Sequence, residues 1–132
     1  MLPMLLLAAK VALPSIDNDP RSFWLGCVGI RKDGVIVYSK NGSSQFQEHI
    51  EYHQFNANAH AEGRTLRKLG KYGTIFVSRV AKKDRGLAMS SPCMMCRTRI
   101  KSAKVSKVYY SINNEQYGIW YPDSDYDKVS FF

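Results

Sequence analysis

Apolar positions along the chain change period several times, and each change marks an element. Leu2, Leu5, Leu6, Ala9 and Leu13 fall on one face of a helix, so a first helix is expected at the N-terminus. Phe23 to Arg31 (FWLGCVGIR) and Val35 to Ser39 (VIVYS) are β-rich. The Asp33-Gly34 turn between them predicts a hairpin. Asn41 to Asn58 is polar and reads as a long loop, a length uncommon outside functional segments. His60 to Leu69 has helical character and closes at Gly70 as a C-cap. Thr74 to Val80 predicts a strand and Ala81 to Ser91 a basic loop. Pro92 suits the first turn of a helix running to about Ser102, and Lys107 to Ile112 is a further strand. The tail after it reads as aromatic, acidic and irregular. The order α-β-β-α-β-α-β calls for an α/β fold, a mixed sheet with helices on its faces.

Composition narrows the class. The 132 residues suit one domain, 1–132, and 45% apolar content is enough for a core. No run approaches the roughly 18–20 apolar residues of a membrane span, so a soluble chain with no membrane partner is expected. The leucine-rich start lacks a basic region before it and a small-x-small cleavage site after it, which argues against a signal peptide. Three cysteines, two of them three positions apart, suit an intracellular metal or redox site better than a disulfide framework, and a cytoplasmic location follows. Lys and Arg outnumber Asp and Glu by 19 to 11, a net +8 that favours an anionic partner. Many of the basic residues lie between Arg64 and Lys107, which suggests charge gathered on one side.

Two short segments carry the chemistry: His60-Ala61-Glu62 and Pro92-Cys93-Met94-Met95-Cys96. Each opens an expected helix. Cys93 and Cys96, at i and i+3, can converge on one ion, and the start of a helix favours thiolates. With His60 they make three ligands, and tetrahedral zinc then keeps one position open for a water of lowered pKa. Glu62, two positions from His60, can stand beside that water and move protons. H-x-E followed by P-C-x-x-C is the general pattern of zinc deaminases. Two other readings fit the cysteines alone. One is a redox pair at a helix start, and the other is a structural zinc with Cys27, His49 or His53 as fourth ligand. Cys27 also suits a buried small hydrophobe, and Met94 and Met95 suit core packing. Arg64, Arg67 and Lys68 suit a solvated helix face. Arg79, Lys82, Lys83 and Arg85, next to the loop before Pro92, could contact a phosphate. A ring to stack on a base would come from Phe46, Tyr52 or Phe55, or from Tyr117, Trp120 or Tyr121.

At His-Ala-Glu 60–62 and Pro-Cys-x-x-Cys 92–96, and through the strand order from about Phe23 to Ser111, the chain resembles the cytidine deaminase superfamily, in its deoxycytidylate and tRNA adenosine deaminase branch. The resemblance implies a three-layer α/β/α sandwich with both zinc-binding helices on one face of the sheet. It implies Zn2+ on His60, Cys93 and Cys96, with Glu62 as catalytic residue and Asn41 and Ala61 binding substrate. It further implies a small nucleotide of cytosine type as substrate, with a base in RNA or single-stranded DNA as the alternative, and a homo-oligomeric assembly. The tail departs from the family: Tyr117-Gly118-Ile119-Trp120-Tyr121 does not suggest a long final helix.

Overall fold

Cys27 and Val28 are neighbours in sequence, and their side chains serve different layers of the molecule. That is the period-two rule of a strand covered on both faces. The computed structural model describes residues 2–12, 23–40, 61–81 and 83–132, with backbone alone at 2, 23–24, 40 and 61–64. The expected polar turn at 15–21 and the long loop at 41–58 lie outside the described residues.

The elements are α1 (Leu2–Ala12), β1 (Phe23–Ile30), β2 (Ile36–Lys40), α2 (Ala61–Leu69), β3 (Thr74–Ala81), β4 (Leu87–Ala88), α3 (Met94–Ser102), β5 (Lys107–Ser111), β6 (Gln116–Tyr121) and β7 (Tyr126–Phe131). They form one sheet in the order β2-β1-β3-β5-β6-β7, with β4 beside the end of β3. β3 and β5 run parallel and the other pairs antiparallel, so the sheet is mixed. The β1–β2 hairpin turns at Gly34 with φ 90°, and Gly70 ends α2 with φ 74°. Both glycines thus take the left-handed backbone that the sequence assigns to them.

On one face, Cys27, Ile75, Val77, Val108, Tyr110 and Trp120 pack with Leu69, Cys96 and Ile100 from α2 and α3. On the other, Val28, Phe76, Tyr109 and Ile119 pack under Leu5 and Ala8 of α1. This is the three-layer α/β/α sandwich. Helix α1 lies unusually near the sheet. A Cβ on Gly26 would collide with the carbonyl of Ala8, and the buried Ser78 hydroxyl donates to the carbonyl of Leu5 at 2.7 Å.

The tail corrects the sequence reading. It is not irregular: β6 and β7 form an antiparallel hairpin that extends the sheet beyond β5. Strand β4 likewise interrupts the expected basic loop before Pro92.

Candidate metal centre

Helices α2 and α3 both run antiparallel to β3, because each leads back to the start of one of the two parallel strands, β3 and β5. Their C-terminal turns meet. Tyr72 N–H donates to the Lys104 carbonyl at 3.0 Å, and Ser106 N–H to that of Gly73 at 2.9 Å. Their N-termini, carrying Ala61 and Glu62 on one and Cys93 and Cys96 on the other, therefore lie at the opposite end of the sheet. Nine helical residues at 1.5 Å each put that end roughly 14 Å away.

Cys93 caps α3. Its backbone is extended (φ −68°, ψ 166°), and its sulfur accepts the amide of Cys96 at 3.5 Å. The helix begins at Met94, so Pro92 precedes the cap instead of occupying the first turn. Cys93 is exposed, whereas Cys96 is buried against the sheet. Two soft sulfur donors from one turn, one of them open to solvent, suit zinc. The third expected donor, His60, immediately precedes α2 in sequence. Ala61 begins that helix and Glu62 follows it. His60 and Asn41 lie outside the described residues, as do His49 and His53, and so does the side chain of Glu62. Among the described residues no three His, Cys, Asp or Glu side chains gather around one point. Cys27 is completely buried in the core and does not make a three-ligand group with Cys93 and Cys96.

A residue the sequence reading passed over holds the turn in place. Arg97 Nε donates to the Pro92 carbonyl at 3.2 Å, and one Nη donates to Ser91 Oγ at 2.7 Å. The guanidinium makes a two-pronged pair with Asp127 of β7 at 3.0 and 2.9 Å and lies over the Trp120 ring, 4.6 Å from its centre. Tyr110 Oη donates to the same carboxylate at 2.7 Å. The bond from Arg97 holds the Asp127 carboxyl below the usual carboxylate range. Burial, helped by the bond to Asp127, pushes the Tyr110 phenol up to about 12. The run Cys-x-x-Cys-Arg offered a sequence clue to Arg97; nothing local marks Asp127 as its partner. Behind the turn, the Ser90 hydroxyl lies 2.9 Å from the Val77 carbonyl and 2.9 Å from Ser111 Oγ, which donates to Ala88 at 2.7 Å. The loop before Cys93 is thereby tied to β3 and β5.

A family model described as the cytidine and deoxycytidylate deaminase zinc-binding region matches residues 3–112. The chain belongs to this family. Membership supports zinc-dependent hydrolytic deamination in general. No curated protein gives a significant match to the chain. The deaminase match takes in α1 from its second residue and ends one residue beyond β5, so β6, β7 and Asp127 lie outside it.

Around the Cys93 turn several expectations change. Met94 is 79% exposed and does not pack into the core. It borders an open groove of about 610 Å³ between α3 and the C-terminal hairpin, with Thr98 and Lys101 on the helix side and Tyr110 and Trp120 beneath. Trp120 is buried, its Nε1 donating to Asp125 at 3.0 Å, so its ring is not free to stack on a base. Tyr117 packs against Tyr109 and Phe132. Basic residues are not gathered on one side: Lys83 and Arg85 stand at the Cys93 end, while Lys71, Lys104 and Lys107 stand at the far end. Lys68 is on the exposed side of α2, but its Nζ donates to the Tyr38 carbonyl at 2.9 Å. No helix among the described residues is long and apolar enough to cross a membrane.

Proposed function

We propose that this chain is a zinc-dependent hydrolytic deaminase of a cytosine-type nucleotide, deoxycytidylate or a near relative. One observation carries the reading: α2 and α3 start at the same end of the sheet, on one face, and the sequence entering those starts reads His-Ala-Glu and Pro-Cys-x-x-Cys. Cys93, Cys96 and His60 would hold the ion. When bound, zinc would supply a nucleophilic hydroxide at neutral pH.

The remaining work falls to the chain. The Glu62 carboxylate takes a proton from the attacking water and delivers it to the ring nitrogen. The amino-bearing carbon gains the oxygen. Glu62 then takes the proton of the new hydroxyl and passes it to the amine; the C–N bond breaks as the C=O forms, so that water and an aminopyrimidine give a carbonyl and ammonia. Asn41 hydrogen-bonds the sugar and Ala61 lies against the base. Exposed Lys83 and Arg85, on the loop leading toward Cys93, are suited to a phosphate. The same two charges support a second reading, a base within RNA or single-stranded DNA held by its backbone.

Ammonia release from nucleosides, nucleotides and oligonucleotides, run beside zinc analysis, tests both. Turnover of free cytosine nucleotides alone supports the first reading. Turnover of oligonucleotides alone, weakening steeply with salt, supports the second. Stoichiometric zinc with no turnover of any of them overturns both.

A further inference from the structure

The ligand turn is gripped by one residue, through its side chain and its backbone amide. The carbonyls on either side of the Cys93 Cα both accept from Arg97: Pro92 O from its Nε at 3.2 Å and Cys93 O from its backbone amide at 2.8 Å. Both peptide planes that flank Cys93 are thus fixed by a single residue four positions on. With those planes held, the direction of the Cα–Cβ bond is held too, and rotation about it is biased by the Cys96 amide.

Arg97 in turn has little freedom. Its guanidinium is pinned on Asp127 by two bonds and lies over the Trp120 ring within cation–π distance. Tyr110 fixes the carboxylate from the other side. Gly118 lets that tyrosine lie where it does, since a Cβ there would run into its ring. The chain of contacts runs from the C-terminal hairpin to the cysteine turn without a gap.

We infer that Asp127, acting through Arg97, is a positioning residue for the Cys93 metal ligand. The hairpin β6–β7, which lies outside the family match, is then a support of the metal centre and not an appendage to the sheet. The inference rests on the zinc reading above. Outer groups that orient ligands commonly contribute 10–100-fold to metal affinity.

The test is zinc affinity by chelator competition, with the visible spectrum of the cobalt-substituted protein as a second readout. Asp127→Ala is expected to weaken zinc binding by about 10–100-fold and to alter the sulfur-to-cobalt absorption. Asp127→Asn keeps shape and one acceptor and is expected to lose less, so it serves even where the alanine variant fails to fold. Asp33→Ala breaks the surface pair between Arg31 and Asp33, 3.0 Å, and is expected to leave zinc affinity unchanged. Wild-type affinity and spectrum in folded Asp127→Ala or Asp127→Asn would overturn the positioning role and leave the zinc reading standing. Equal loss in Asp33→Ala would also overturn it, by making the effect one of general stability. A wild-type chain that binds no zinc would overturn both.

Discussion

The backbone amide of Cys96 points at the sulfur of Cys93, 3.5 Å away, so the two cysteines are coupled by the turn itself before any ion arrives. Only the first of them faces solvent. The turn therefore presents one reactive sulfur and shields the other.

Thiol labelling reads this asymmetry directly. In zinc-stripped, folded protein a maleimide is expected to modify Cys93 at least tenfold faster than Cys96 or Cys27, both fully or almost fully buried. Zinc should suppress the reaction. Mass mapping of the labelled sites checks it, and comparable labelling of Cys96 would contradict the arrangement.

Glu62→Gln separates metal binding from proton movement. The amide keeps the size of the carboxylate and cannot take up a proton, so zinc content should stay at the wild-type level. Turnover should fall by about 10²–10⁴-fold, the usual weight of general acid–base catalysis. Zinc analysis and ammonia release on the same sample decide the matter.

The Tyr110–Asp127 bond makes alkaline stability depend on one phenol. The folded protein holds the Tyr110 proton up to about 12, against an ordinary value of 10.0. Between those values the folded state binds more protons than the unfolded state, so stability falls as pH rises. The contribution is complete below pH 10 and lost through about 12. Tyr110→Phe should cost about 1–3 kcal/mol at neutral pH. The gap from wild type should narrow above pH 10, as urea melts at several pH values would record.

Gly26→Ala tests the seating of α1. The new methyl would meet the Ala8 carbonyl, which is backbone and cannot swing aside. A loss of about 3 kcal/mol is expected, the upper range for overpacking. Urea unfolding of the variant measures it; an unchanged midpoint would mean that α1 sits farther from β1 than described.

The strands through β5 and the cysteine helix were legible because their requirements are local. An Asp-Gly turn, a period of two and a Cys-x-x-Cys spacing need no distant partner to be seen. Met94 was misplaced for a geometric reason. Burial of Cys96 and Ile100 sets the rotation of α3, and a residue two positions from Cys96 is turned about 200° away. The tail was misread because Gly118 breaks its β-pattern. That glycine answers to the Tyr110 ring, on a strand seven residues earlier at its nearest end, and not to its own neighbours. Asp127 was invisible for the same cause: its meaning lies in Arg97, thirty residues away.

The C-terminal hairpin gives the molecule two different boundaries. The zinc-binding region that the family model matches ends at residue 112, while the sheet that buries Trp120 and carries Asp127 runs on to Phe131. A fragment or chimera cut at the first boundary would inherit every cysteine of the deaminase motif and leave Arg97 with no carboxylate to grip. The matched zinc-binding region and the folded sheet do not end at the same residue.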